Sequence, residues 1–196
     1  MGADWLAGLL YYAGVPYAAM MLGAADFPAH LGLARLDWPA SVGRGVVLGI
    51  AAFLGLAGIA WYSIRSLRQM GCEPPPPPLE RPGWTVGLAA FFQEAHWAFY
   101  RVPGILLTGD FLFGTFIGAL LAILERVADP RWRRRAASPQ TDLDAWQSLA
   151  LLVGMSVSFY FTRNFFVLWA THAVVEWGNR QMTLWLLRRT SETASG

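Results

Sequence analysis

The sequence predicts an all-α membrane protein, a polytopic bundle of about six transmembrane helices in a single domain. Of its 196 residues, 55% are hydrophobic and 14% are charged, and the mean hydropathy is +0.37. Soluble domains carry about 25% charged residues, so this composition excludes a disordered chain, a coiled coil and a nucleic-acid-binding arm. Several uncharged runs are long enough to cross about 30 Å of hydrocarbon at about 1.5 Å per residue. The expected partner is therefore the lipid bilayer, and no nucleic-acid partner is expected.

The first two spans are predicted at residues 5–25 and 46–64, which contain no charged residue. A polar loop at residues 26–44 separates them. Residues 65–83 form a second loop, because the five consecutive prolines at 74–78 cannot continue a helix. Such a run adopts a stiff polyproline II conformation, which places this Pro-rich loop outside the membrane.

The third and fourth spans are predicted at residues 84–102 and 105–124, with almost nothing between them. The break is placed at Pro103-Gly104, since this dipeptide stops or kinks a helix. Residues 125–145 form the most charged stretch of the chain, an Arg-rich loop outside the membrane.

The fifth and sixth spans are predicted at residues 146–161 and 165–187. A single helix over both runs would be about 63 Å long, roughly twice the thickness of the hydrocarbon core. We therefore expect a tight hairpin at Arg163-Asn164, where polar residues interrupt the apolar sequence.

The arginines are distributed unequally between the two sides that this topology defines. One side receives ten of them: Arg65, Arg68, Arg81, Arg126, Arg131, Arg133, Arg134, Arg135, Arg188 and Arg189. The other side receives four: Arg35, Arg44, Arg101 and Arg163. The positive-inside rule assigns the richer side to the cytoplasm. We expect a multi-pass protein of the bacterial inner membrane with both termini in the cytoplasm.

Ionisable residues occur inside three of the predicted spans, where they are expensive and face a protein interior or a wet cavity. The one in the fourth span, Asp110, lies near the end of the span, where it can reach solvent. The helix rise places His96 about 9 Å, and Glu94 and His172 about 12 Å, below the same end of the bundle. Glu94 and Arg101 are seven residues apart and share a helix face, as do His172 and Glu176, which are four apart. The sequence therefore predicts one polar layer built from the third and sixth spans.

Two segments resemble motifs of the CPBP (CAAX protease and bacteriocin-processing) intramembrane peptidases. Residues 91–101, Phe-Phe-Gln-Glu-Ala-His-Trp-Ala-Phe-Tyr-Arg, precede a Pro-Gly pair and look like the first motif of that family. Residues 162–172, Thr-Arg-Asn-Phe-Phe-Val-Leu-Trp-Ala-Thr-His, are similar to its last motif. The resemblance covers roughly residues 84–180.

By position, Arg101 matches the arginine of the first motif and His172 matches the final histidine. Glu94 stands two residues before the family's glutamate pair, and Glu176 stands where Asn or Asp is usual. The middle histidine of the family has no counterpart in the fourth or fifth span. The resemblance thus implies a divergent intramembrane endopeptidase with degenerate motifs, active or inactive, which cleaves or binds a membrane-associated peptide.

Peptide hydrolysis needs an activated water and a donor for the oxyanion. Glu94 is the candidate base, while His96 and His172 are candidates to position water or, together with Glu94, to bind a metal. Three such ligands suit zinc, but the chain has no HExxH spacing, so both a zinc-dependent and a metal-free mechanism stay open.

The remaining candidate residues have supporting roles in this scheme. Arg101 or Asn164 would stabilise the developing negative charge, and Glu176 would orient the imidazole of His172. Arg101 is also placed to hold the carboxylate of Glu94.

Three other interpretations account for the same residues. The polar side chains can be ties between helices, satisfied by one another and by water. Two histidines on different spans can ligate a b-type haem. The small size and the Gly- and Ala-rich spans also suit a non-catalytic accessory subunit of a larger membrane complex.

Overall fold

The computed structural model describes residues 32–33, 36–72, 82–137 and 142–192, and these ranges are helical with no strand among them. The predicted all-α class is confirmed. The predicted span at residues 5–25 and the proline run at 74–78 lie outside the described residues. The helices are α1 Trp38–Gln69, α2 Gly83–Thr108, α3 Phe111–Ala128, α4 Pro130–Ala136, α5 Asp142–Thr162 and α6 Phe165–Glu192.

The helices pack in a simple order. α5 and α6 contact each other and lie between α1 on one side and the α2–α3 pair on the other. α1 packs on both α5 and α6, whereas α2 packs on α3 and α6. The short helix α4 rests on α3 and α5. The contact between α2 and α6 therefore lies inside the bundle, and it is this contact that holds the ionisable residues.

α1 is longer than the predicted second span at both ends. Its first turn is capped by Asp37, whose side chain accepts a hydrogen bond from the Ala40 N–H at 3.3 Å. Pro39 lies in that first turn, where proline is tolerated, so it does not mark a loop as we expected from the sequence. The helix ends at Gln69, and Gly71 follows with a φ of 70°. The helix therefore includes residues 38–44 and 65–69, which were predicted to belong to the loops at 26–44 and 65–83.

The predicted break at Pro103-Gly104 is wrong. α2 continues through Pro103 and ends at Thr108, where Gly109 adopts a left-handed φ of 66°. Gly104 does not form a turn. It lets α2 approach α3 closely, since a Cβ there would lie 2.9 Å from the Cα of Gly114 on α3. The close approach of the two helices outweighs the local tendency of Pro-Gly to end a helix.

The predicted Arg-rich loop at residues 125–145 is partly helical. α3 extends to Ala128, and Asp129 then starts α4 by accepting a hydrogen bond from the Arg131 N–H at 2.8 Å. A carboxylate at the start of a helix satisfies N–H groups that have no partner within the helix.

The tight hairpin between α5 and α6 is confirmed at Arg163-Asn164. Arg163 has a positive φ of 48°, and Asn164 caps α6. Gly32 lies directly against this turn: its carbonyl accepts a hydrogen bond from Phe165 N–H at 3.0 Å, and its φ is 70°. α1 also contributes, because the Ser41 hydroxyl donates to the carbonyl of Thr162 at 2.9 Å.

Three of the described helices are long and apolar enough to cross a membrane, namely α1, α3 and residues 143–162 of α5. α3 exposes a stripe of large apolar side chains on one face: Phe113, Phe116, Leu120 and Leu124. Such a surface is suited to lipid and suggests a membrane protein. α2 and α6 are not among the three, so the count of six spans stays a prediction.

Candidate functional site

Aromatic contacts fix how α2 lies on α6. The indole N–H of Trp169 donates to the carbonyl of Gly87 at 2.8 Å. Phe91 packs edge-on against both Phe165 and Trp169, with ring centroids 5.5 and 5.7 Å apart. These contacts align the two helices so that the ionisable residues of each face the other.

Glu94 is the centre of the resulting polar network. Its side chain is fully buried, and one carboxylate oxygen lies 2.9 Å from Nδ1 of His172. The other oxygen accepts a hydrogen bond from Nη2 of Arg101 at 3.3 Å. The predicted shared face of Glu94 and Arg101 is therefore confirmed, and the third and sixth predicted spans do bring a carboxylate and an imidazole together.

Both ring nitrogens of His172 face carboxylate oxygens. Its ring stacks on Trp97 with centroids 5.3 Å apart and an angle of 10° between the planes. Its Nε2 faces an oxygen of Glu176 at 3.6 Å, which is an ion-pair distance but too long for a hydrogen bond. The other oxygen of Glu176 accepts from Arg180 at 2.6 and 3.1 Å.

The order along the network is Arg101, Glu94, His172, Glu176 and Arg180. Two guanidinium groups balance two carboxylates, so the imidazole in the middle is the group whose protonation changes the net charge. When Nδ1–H donates to Glu94, Nε2 is the nitrogen that accepts or gives a proton. The arrangement is thus a carboxylate-oriented imidazole, a group that can accept and donate a proton through Nε2.

Arg101 is held in place by packing as well as by charge. Its side chain is 1% exposed, and its guanidinium lies 4.1 Å from the ring centroid of Phe159 on α5. α3 contacts it at Gly118, where a Cβ would lie 2.7 Å from Cγ of Arg101. A guanidinium over an aromatic face is a favourable cation–π contact, worth about 2 kcal/mol or more where both groups are desolvated.

His96 does not join this network, although the sequence placed it in the same layer. Its Nε2 lies 2.9 Å from a carboxylate oxygen of Glu125 on α3. The reason is helix geometry: two residues along a helix correspond to about 200°, so His96 leaves α2 on nearly the opposite side from Glu94. Equal depth in the membrane therefore does not put these two side chains in one pocket.

The separation of the histidines bears on the metal and haem hypotheses. His96, His172 and Glu94 were the candidate metal ligands. Glu94 and His172 are in contact, but His96 points away from them towards α3, so the three do not form one site. Across the ranges that the structure describes, no group of three or more His, Cys, Asp or Glu side chains is arranged to hold a metal ion. A haem between the two histidines is also unsupported, because Trp97 covers one face of His172 and Glu125 binds His96.

Asn164 has a structural role that the sequence analysis did not assign to it. Its side-chain oxygen accepts from the N–H groups of Phe166 and Val167 at 3.1 and 3.2 Å, which caps α6. The residue is fully buried, and its amide nitrogen finds no hydrogen-bond partner among the described residues.

Arg180 and Glu125 contact predicted site residues but were not themselves predicted. Arg180 could have been found, because it lies four residues after Glu176 on the same helix face. Glu125 could not, since its contact with His96 depends on how α3 packs on α2.

A groove of about 670 Å³ runs between α1 and α6, and its lining is almost entirely apolar. Thr171 and Val174 line it, on the side of α6 that faces away from Glu94. The groove is therefore separate from the polar network.

Comparison with known proteins gives no assignment. No family model, no curated protein and no solved structure matches the chain. The resemblance to the CPBP peptidases thus stays a hypothesis that depends on the residues themselves.

Proposed function

We propose that this chain is a multi-pass protein of the bacterial inner membrane, with both termini in the cytoplasm, that hydrolyses a membrane-associated peptide in the manner of the CPBP peptidases. The observation that carries the proposal is the 2.9 Å contact between the Glu94 carboxylate and Nδ1 of His172. It joins two separate helices inside the bundle, at residues with no exposed surface. Burying a carboxylate and an imidazole between membrane helices is costly, and such groups are usually present for a function.

In the proposed mechanism, Glu94 orients His172 and stabilises its protonated form. Nε2 of His172 takes a proton from water as the water oxygen attacks the peptide carbonyl carbon. The same nitrogen then gives that proton to the leaving amine when the carbon–nitrogen bond breaks. This reverses the roles expected from the sequence, where Glu94 was the base and Glu176 oriented the imidazole.

The reaction also needs donors for the oxygen that becomes negative. Nη1 of Arg101 and the amide nitrogen of Asn164 are buried donors without a hydrogen-bond partner among the described residues. Both lie on residues that the sequence assigned to this role. Removing one oxyanion donor typically costs about 10²–10³ in kcat.

The test uses the purified protein in lipid vesicles with a quenched fluorogenic peptide that contains a transmembrane segment. We expect Glu94→Gln and His172→Gln each to lower turnover by about 10²–10⁴, the usual contribution of general acid–base catalysis. Glu125→Gln is the matched control, because it alters a glutamate–histidine contact outside the network. Equal turnover in all of these proteins would exclude the catalytic role of the pair.

The complete burial of Glu94 and His172 favours a second candidate, a non-catalytic subunit of a larger membrane complex. In that case the network only ties α2 to α6. Glu94→Gln would then lower thermal stability and the amount of a larger complex on native gels, and wild-type protein would not cleave the peptide.

A further inference from the structure

α6 carries a buried polar stripe below the Glu94–His172 pair. The stripe consists of His172, Glu176, Asn179 and Thr183, spaced by four, three and four residues. At 100° per residue these side chains fall within an arc of about 60° and extend over about 16 Å of the helix. Asn179 is 6% exposed and Thr183 is 4% exposed. An apolar face would pack here at lower cost, so the polarity of this stripe needs an explanation.

The polar atoms along the stripe are poorly satisfied by protein. The hydroxyl of Thr183 is buried and finds no hydrogen-bond partner among the described residues. Nε2 of His172 and one oxygen of Glu176 are also buried, and they face each other at 3.6 Å, which is too long for a hydrogen bond. Asn179 accepts only a long hydrogen bond, 3.4 Å, from Gln147 on α5. Buried polar groups nearly always bond to protein or to ordered water, and leaving one unpaired costs about 1–3 kcal/mol.

The stripe leads towards one end of the bundle. Thr183 lies nearest the end at which α6 finishes and α5 begins. The side chain of Glu176 in the stripe is 16% exposed and that of Arg180, beside the stripe and one turn nearer this end, is 29% exposed, so exposure increases in this direction. In the opposite direction the next residue on this face of α6 is Leu168, which is fully buried in the apolar core and offers no polar side-chain atom to water.

We propose that the α6 polar stripe is a water path from this end of the bundle to Nε2 of His172. Water supplies the hydrogen bonds that Thr183, Glu176 and His172 lack. The inference deepens the proposed function, since the water delivered there would be the reactant in hydrolysis. The path itself follows from the geometry of α6 and does not require a substrate.

Cysteine accessibility tests the path without any assay of activity. The chain has one cysteine, the exposed Cys72, so Cys72→Ser gives a clean background. Single cysteines are placed at Asn179 and Thr183 on the stripe. Val175→Cys is the matched control, because Val175 lies between His172 and Asn179 along α6 but has apolar surroundings, the core on one side and the apolar groove between α1 and α6 on the other. The protein in lipid vesicles is treated with a small water-soluble methanethiosulfonate.

We expect Thr183→Cys and Asn179→Cys to react at least about tenfold faster than Val175→Cys, because a thiol must ionise to react and apolar surroundings suppress the thiolate. Adding Thr183→Leu to Asn179→Cys should slow labelling, since it plugs the path on its solvent side. Thermal unfolding of each variant checks that it is folded. Labelling at Val175 as fast as at Asn179, or no effect of the plug, would overturn the path. Labelling as expected in a protein that cleaves no peptide would leave the path intact and remove the proposed activity.

Discussion

The contact between α2 and α3 predicts that Gly118→Ala disturbs the polar network through Arg101, which Gly118 contacts directly. The new methyl group would lie 2.7 Å from Cγ of Arg101 and 2.8 Å from both its Cα and its N. Ordinary van der Waals contact begins at 3.4 Å, and two of these three atoms are backbone, so rotamer changes cannot relieve the overlap. The two helices must separate by about 0.6 Å, the difference between 3.4 and 2.8 Å.

The expected cost follows from that displacement. Overpacking a well-packed contact typically costs about 1–3 kcal/mol. The new methyl group also pushes on Cγ of Arg101, and the hydrogen bond from this side chain to Glu94 is already 3.3 Å long, so moving the side chain by a few tenths of an ångström takes the bond beyond bonding distance. For a chain of this size each kcal/mol corresponds to about 2–4 °C in Tm. Gly118→Ala should therefore lower Tm by several degrees and reduce any peptidase turnover.

The assay is thermal unfolding in detergent, followed by tryptophan fluorescence, with turnover measured in parallel. Gly55→Ala on α1 is the control, because a Cβ there meets no atom within 4 Å. The control should keep or raise the stability of the helix, as alanine is the better helix former. If Gly118→Ala unfolds at the same temperature as Gly55→Ala, the close packing of α2 on α3 is refuted.

Two further predictions concern the network and the α5–α6 turn. Glu94→Leu leaves Arg101 buried without a counter-charge and should destabilise the protein by about 3–5 kcal/mol, whereas adding Arg101→Leu should restore much of that loss. Chemical denaturation measures the free energy of unfolding of both variants. If the double variant is less stable than Glu94→Leu alone, the two side chains do not depend on each other. Asn164→Ala removes the cap of α6 and should cost about 0.5–2 kcal/mol, while Asn164→Ser keeps an acceptor and most of the stability. Equal unfolding curves for the Asn164 variants would show that the cap contributes nothing.

Local patterns in the sequence predicted the parts of the structure that depend on neighbours along one helix. The hairpin at Arg163-Asn164 followed from length, because one helix could not fit the membrane. The contact of Glu94 with Arg101 and that of His172 with Glu176 followed from helical periodicity. Each of these needed no knowledge of how the helices pack.

The predictions that were wrong concern contacts between helices. His96 was grouped with Glu94 by depth, but its side chain leaves α2 on the other side and meets Glu125, 29 residues away in sequence. Pro103 was expected to end a helix, but the close packing of Gly104 on Gly114 holds α2 together beyond it. Depth and propensity each describe one helix, and neither specifies which neighbour a face will meet.

The division of polar and apolar residues among the helices explains why hydropathy alone misses the candidate site. α1 and α3 present large apolar side chains outwards, and both are apolar enough to span a membrane. α2 and α6 carry the buried ions and are not among the spans identified by hydropathy. Each carboxylate pairs with an arginine of its own helix, Glu94 with Arg101 and Glu176 with Arg180. The contact of His172 with Glu94 then joins α2 to α6, so the network is completed only when the bundle assembles. A helix that buries ion pairs is therefore less apolar than an ordinary membrane span, and the two long helices that fall short in hydropathy are the two that carry the candidate site.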